Sequence, residues 1–236
     1  MTTPILPFRV VHENTHLLVV EKPAGMVTHP VYKHPDGTLT DFVAAWYATR
    51  DLPRPWLLHR LDKDTSGLIL FARTADMLRV GVRQFEDHTI TKEYAAVVWG
   101  ADVPAAGLID LRLMRDPADR RRVIVAPDEA GQAAQTRYVV VARQGNAAQV
   151  RLWPVTGRTH QLRAHLANIG HPIVGDPIYA TEQSPAARLL LHAASITLSV
   201  LPDATAPPHR VTFLAPLPPD FAAALPWGHN MREGPP

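Results

Sequence analysis

Apolar residues fall into two rhythms along this chain, one of alternation and one recurring every three to four positions, and the switches between them mark the predicted elements. Phe8 to Glu13 and Leu17 to Glu21 are runs rich in Val and Leu on either side of Asn14-Thr15, which predicts paired strands. In EKPAGMVTHP, Pro23, Gly25 and Pro30 predict an irregular loop. Leu39 to Arg50 has helical spacing, with Phe42, Val43, Trp46 and Tyr47 on one side and Thr38 or Thr40 as the cap. Trp56 to Arg73, WLLHRLDKDTSGLILFAR, sets a polar turn carrying Asp62 and Asp64 between two apolar runs, and Gly67 to Arg73 reads as a strand. Thr74 then caps a helix with Asp76 in its first turn and a stripe of Leu78, Val82 and Phe85. Alternation in Thr91 to Trp99 places Lys92, Tyr94, Ala96 and Val98 on one face of a strand.

The pattern changes between Gly107 and Val125, where Arg112, Arg115, Arg120, Arg121 and Arg122 are interspersed with Asp110, Asp116 and Asp119. Mixed signs fit a solvated loop as well as a phosphate clamp. Gln135 to Arg143 and Ala147 to Trp153 flank Gln144-Gly145-Asn146 and predict a hairpin. In Val155 to Ala180, Leu162, Leu166 and Ile169 give a helical stripe, Thr156 or Thr159 a cap, and Gly170 and Pro172 an end. Arg158, His160 and Arg163 are expected early in that helix, where its N-terminus adds positive field. LLLHAASITLSV predicts a strand pair or a bend around His192, Val211 to Leu214 predicts a last strand, and the tail from Trp227 has little to bury.

Composition narrows the class. With 46% hydrophobic and 19% charged residues among 236, the chain belongs with globular proteins and is long enough for a substantial core. No apolar run approaches the roughly 20 residues that span a bilayer, and MTTPILPFRV lacks the pattern of a secretion signal, so a cytoplasmic protein is expected. The absence of cysteine excludes disulfides and thiolate metal sites. A net charge of +2 excludes binding of nucleic acid by bulk charge, although the Arg-dominated positive charge leaves room for a basic face.

The central turn admits three chemical readings. Asp62-Lys-Asp64-Thr-Ser66-Gly67 copies the first half of a calcium-binding loop, but the twelfth position, which needs a bidentate Glu, is Arg73. An Asp-x-Asp pair fits a Mg²⁺-dependent phosphohydrolase, though no later acidic pair stands out to hold the metal. A solvated turn capped by one of the acids is the third. His160 and His165 are five apart and do not share a helix face, so no metal is expected there.

His59-Arg60-Leu61-Asp62-x-x-Thr65-Ser66-Gly67-Leu68 resembles the signature of the RluA-type pseudouridine synthases. Lys22-Pro23-Ala24-Gly25, Lys92-Glu93-Tyr94 and Gly157-Arg158-Thr159-His160-Gln161-Leu162-Arg163 match further elements of that family in the same order, so the similarity runs from about Glu21 to Phe213. The resemblance implies an enzyme that isomerises uridine within RNA without a cofactor or metal. It implies Asp62 as the catalytic carboxylate, Arg163 as its counter-charge, with a planar fork able to hold a carboxylate bidentately, and Tyr94 as the phenol that stacks on the detached uracil. Arg60 is implied to fill the stack that a flipped base vacates, while Thr65, Lys92, Arg158, His160 and Gln161 are expected to hold the RNA. Helix capping and surface ion pairs are the competing roles for Arg158, His160 and Gln161.

The fold so implied is α+β: a single catalytic domain over residues 1–226, with a mixed, mostly antiparallel central sheet flanked by helices, then a flexible tail over 227–236. Longer relatives carry an N-terminal S4 domain, for which the motifs beginning by Glu21 leave no space. Recognition of a stem-loop in tRNA or large-subunit ribosomal RNA is therefore expected from the catalytic domain itself, acting as a monomer. A catalytically silent RNA-binding module with the same fold and the phosphohydrolase are the alternatives.

Overall fold

The computed structural model describes residues 6–127, 129–181, 186–201 and 208–224. In chain order its elements are β1 (Arg9–Glu13), β2 (Leu17–Lys22), α1 (Leu39–Ala48), β3 (Trp56–Leu57), β4 (Ser66–Ala72), α2 (Ala75–Glu86), β5 (Thr91–Trp99), β6 (Ala106–Arg115), β7 (Val123–Val125), β8 (Gln132–Gln144), β9 (Ala147–Pro154), α3 (Gln161–Asn168), β10 (Leu191–Val200), β11 (His209–Leu214) and α4 (Pro219–Ala224). They form two compact units, Met1–Thr91 with Ala193–Ala215, and Lys92–His192 with Pro216–Pro236. This is the α+β class, with an antiparallel register in every strand pair given below.

In the first unit β2 pairs with β1 and with β4, β3 pairs with β4, and β11 pairs with β10. Strand β2 is flanked on both edges and its Leu17 to Val20 are essentially inaccessible, so it reads as an unbroken apolar run instead of an alternating one. Helix α2 covers this sheet through Met77, which packs with Leu17, Val19, Leu68, Leu70 and Ile196. Thr74 caps α2 as expected, its hydroxyl accepting from the Met77 amide at 3.3 Å. In α1 the Asp41 carboxylate accepts from the Thr38 amide and hydroxyl, closing the N-terminus.

Both helices are rotated from the stripes that spacing suggested. Leu39, Val43 and Tyr47 are the buried face of α1 and Phe42 is exposed. In α2, Met77 and Gly81 are buried while Val82 is 40% exposed. Gly81 explains the second rotation, because a Cβ there would lie 2.7 Å from the Leu58 side chain, so helix and segment approach at the one position without a side chain. Gly67 is held at φ +118°, and a Cβ on it would run into the Ala193 backbone of β10.

The second unit is an antiparallel sheet whose neighbours run β5-β9-β8-β6-β7. The Arg-rich stretch is largely the β6–β7 hairpin, not a loop throughout, and its turn pairs with itself: Arg121 forks onto Asp119 at 2.7 Å and draws its carboxyl down to about 2. The β8–β9 hairpin turns at Gly145-Asn146, close to the expected position. Strand β10 is continuous through His192, with no bend, and α4 was not foreseen. On β5, Glu93 points away from Lys92 and Tyr94 and forms a buried two-point pair with Arg151, at 2.7 and 2.9 Å.

Helix α3 begins later than its apolar pattern suggested. Arg158 precedes it, and its N-cap is His160, in the left-handed region at φ 53°, instead of Thr156 or Thr159. Every residue from Gln161 to Leu166 is buried, with Leu162 and Leu166 joining Val98, Val150 and Leu152 in the core. His165 is fully buried, with Nδ1 3.0 Å from the Thr136 hydroxyl oxygen. Gln161 already donates to that oxygen, so the threonine proton is available to a neutral imidazole. The tail from Trp227 lies outside the described residues.

Two stability measurements test this packing. Gly67→Ala should lower the stability of the chain by about 2–4 kcal/mol in denaturant unfolding, since it strains both φ and the contact with β10. Burial lowers the pKa of His165 to about 4, partly opposed by the Leu111 backbone and Asp110. A histidine held below its unfolded value of 6.5 takes up protons more readily when unfolded, so stability should fall as pH drops from about 6.5 towards 4. His165→Gln should flatten that part of the stability–pH curve.

Candidate active site

The turn carrying Asp62 is gripped from outside itself. The Thr28 hydroxyl donates to the Leu61 carbonyl at 2.7 Å and receives the Leu61 amide at 3.3 Å, so one side chain holds both backbone groups of the residue before Asp62. On the other side the ammonium of Lys22, wholly buried at the end of β2, donates to the carbonyls of Pro23, Met26 and Lys63 at 2.8, 2.8 and 2.9 Å. The turn is closed internally by the Thr65 amide on the Asp62 carbonyl at 3.2 Å. Leu61, Thr65 and Ser66 are buried around it, while the Asp62 and Asp64 side chains are half-exposed. An acid is thus presented from a rigid backbone, which reactive carboxylates require.

Arg60 and His59 flank the same turn. The His59 ring accepts the Leu70 amide through Nε2 at 3.2 Å and lies against Phe85, a packing role. Arg60 is exposed, and burial together with its charge lowers the pKa of His29. The structure therefore brings Arg60, Asp62 and Thr65 together in the first unit, with Lys22 and Thr28 as their supports.

The remaining candidates belong to the second unit. Lys92 and Tyr94 lie on β5, both half-buried. The Lys92 ammonium lies 3.5 Å from the Thr156 carbonyl, beneath the Thr156-Gly157 turn, and burial lowers its pKa. Gln161 spends its amide on the fold: its oxygen accepts from the Thr156 hydroxyl at 2.6 Å and the Arg158 amide at 3.0 Å, and its nitrogen donates to Gln135 and Thr136. Arg158 is exposed, its Nε on the Ala133 carbonyl at 3.2 Å. His160 has Nδ1 3.1 Å from the Tyr179 hydroxyl. Arg163 is buried and forks onto Asp176 through Nε and Nη2, at 2.7 and 2.9 Å.

Lys22, Thr28, Asp176 and Tyr179 were not singled out as site residues from sequence. Lys22 stood in the Lys-Pro-x-Gly element and Asp176 in the 155–180 motif, so position was available as a signal but role was not. Among the described residues no group of three or more His, Asp or Glu is placed to hold a metal, and no helix is long and apolar enough to cross a membrane.

Residues 16–168 match the family described as RNA pseudouridylate synthase, so the chain belongs to that family. It is 41% identical over 195 residues to the dual-specificity RNA pseudouridine synthase RluA of Escherichia coli K12, covering 80% of this chain and 86% of that protein. The ribosomal large subunit pseudouridine synthase D of Zymomonas mobilis is 37% identical over 206 residues, which is 81% of this chain and 64% of that longer protein. Human RNA pseudouridylate synthase domain containing 4 superposes with a TM-score of 0.74 at 25% identity, over 92% of this chain and 91% of that one.

The grip on the central turn is testable. Thr28→Val leaves the Leu61 amide and carbonyl without their partner, and should cost about 1–3 kcal/mol. Hydrogen exchange at the Leu61 amide should quicken in the variant, with β9 unaffected.

Proposed function

We propose that this chain converts uridine to pseudouridine in structured RNA, with Asp62 as the catalytic carboxylate. The observation that carries the reading is the Asp62 turn, held on one side by Thr28 and on the other by Lys22. The reaction breaks the bond between uracil N1 and C1′, turns the base, and joins C5 to C1′, with one proton lost from C5 and one gained at N1. It is neutral in mass and charge and consumes no cofactor. Two routes start the break, attack of the carboxylate on C1′ or removal of the C2′ proton, and both begin at Asp62. Tyr94 supplies the phenol for the detached uracil and the late C5 proton transfer. Arg163 supplies the guanidinium that favours a charged carboxylate. The same guanidinium forks onto Asp176 through Nε and Nη2.

A base inside folded RNA reaches a carboxylate only after leaving its stack, which costs a few kcal/mol and least in a loop. Arg60, exposed beside Asp62, fills the vacated stack in this reading. Arg158, Lys92 and His160 bind backbone or the flipped nucleotide, with Gln161 acting through the Arg158 loop that it ties down and Thr65 through the Asp62 turn that it closes. Residues 1–226 are the proposed catalytic domain, working as a monomer in the cytoplasm. The proposed substrate is a stem-loop of large-subunit ribosomal RNA or tRNA; the name of one relative, a ribosomal large subunit pseudouridine synthase, supports the first, and the dual specificity in the name of another fits more than one RNA.

RNA transcripts labelled with tritium at uridine C5 provide the test. The wild type should release tritium at a rate indifferent to EDTA, and Asp62→Ala should be slower by about 10³-fold or more. Absence of release by the wild type from both rRNA and tRNA stem-loops refutes the function, and phosphate release abolished by EDTA would favour the phosphohydrolase instead.

A further inference from the structure

The mixed charges of the β6–β7 hairpin sort themselves out in three dimensions. Arg121 is spent on Asp119 and Arg112 on Glu129, at 2.7 and 3.4 Å. The Asp116 and Asp119 carboxylates accept the amides of Ala118 and Arg121, two residues on, so both acids are folded into the turn they stand in. Asp110 takes the side-chain amide of Gln135 at 2.8 Å. Arg115, the last residue of β6, is left over: its Nη1 donates to the Arg120 carbonyl at 3.2 Å, and among the described residues no carboxylate pairs with it. Arg158 is in the same position, its Nε tied to the Ala133 carbonyl of β8 and no carboxylate beside it.

These two guanidiniums line one cleft of about 370 Å³, whose lining also includes exposed Gln132 and Thr159 and buried Leu113 and Val123. Register explains the meeting. Leu113 and Arg115 are two apart on β6 and share a face, Val123 is the partner of Arg115 on β7, and Gln132 is the partner of Leu113 on β8. Leu113 and Val123 pack with Ala164 of α3, so helix α3 covers this face, and exposed Arg115 lies beyond the covered part. Thr159 immediately precedes the N-cap of α3, whose N-terminus adds positive field to the same cleft. Two like charges lining one cleft repel each other, and an anion between them removes that cost. Guanidinium forks match the oxygens of a phosphate.

We propose that this cleft seats one phosphodiester of the RNA, with Arg115 and Arg158 as its cations and Gln132 and Thr159 as neutral donors. The inference rests on the function proposed above, which makes RNA the ligand, and it adds Arg115, Gln132 and Thr159 on the second unit to the residues that hold it. A contact of this kind fixes the register of a folded RNA without reading its sequence.

Equilibrium binding of a large-subunit ribosomal RNA stem-loop and of a tRNA stem-loop, followed by fluorescence anisotropy between about 50 and 300 mM salt, tests the site. Arg115→Gln should weaken binding by about 3–10-fold, equally for both RNAs, and should reduce the slope of log affinity against log salt by about 1. Arg158→Gln should do the same. The double variant should lose less than the product of the two single losses, because both side chains act on one phosphate. Arg79→Gln, which removes an exposed guanidinium already paired with Asp76, should leave affinity and slope within about twofold and 0.3 of wild type and so controls for net charge. An Arg115→Gln loss no larger than that of Arg79→Gln, a loss confined to one RNA, or an unchanged salt slope overturns the inference and leaves the proposed function standing. A wild type that binds these RNAs but releases no tritium from them refutes the function alone, and one that binds neither refutes both.

Discussion

The ammonium of Lys22 lies where no water reaches it, and much of the first unit is arranged around that constraint. A buried cation without partners costs several kcal/mol, so it draws carbonyl groups to itself. Two come from the adjoining loop, at Pro23 and Met26, and one from Lys63, forty-one residues further along the chain. The last is the consequential one, because it fastens the residue after Asp62. Thr28, six residues beyond Lys22, fastens the residue before it. A sheet strand, an irregular loop and a buried charge thus combine to hold one acid at fixed backbone geometry, while its side chain stays accessible.

The second unit uses a related device. Asp176 accepts two backbone amides besides meeting Arg163, and Gln161 satisfies a strand carbonyl, two hydroxyls and the Arg158 amide at once. In each case a polar group is held by one whose own hydrogen bonds are committed. Fully satisfied buried polar networks are rigid, and partly satisfied ones are costly.

Much of this was legible in the sequence. Apolar runs rich in Val and Leu located β1, β2, β4, β8 and β9, alternation located β5, and the Asp62 turn stood out because apolar runs bracket it. Rotation of the helices was not legible, since a stripe at i, i+4 says that a face is buried but not which of two adjacent faces meets the sheet. Phe42 and Val82 were assigned inward for that reason, and Gly81, invisible as an apolar residue, decided the second case. The start of α3 was misplaced because two threonines offered ordinary caps, whereas the Gln161 amide, reaching back to Arg158, lets His160 take a left-handed conformation at the helix start. The partners of Arg163 and Leu61 lie thirteen and thirty-three residues away, and local patterning carries no information about pairings of that kind.

The most direct measurement of the central claim is a transcriptome-wide pseudouridine map from cells lacking this chain, complemented with wild type or with Asp62→Ala. One or a few uridines in ribosomal RNA or tRNA should lose their signal in the deletion strain, regain it with wild type and stay unmodified with the Asp62 variant. Identical maps in all strains, or recovery by Asp62→Ala, would contradict it.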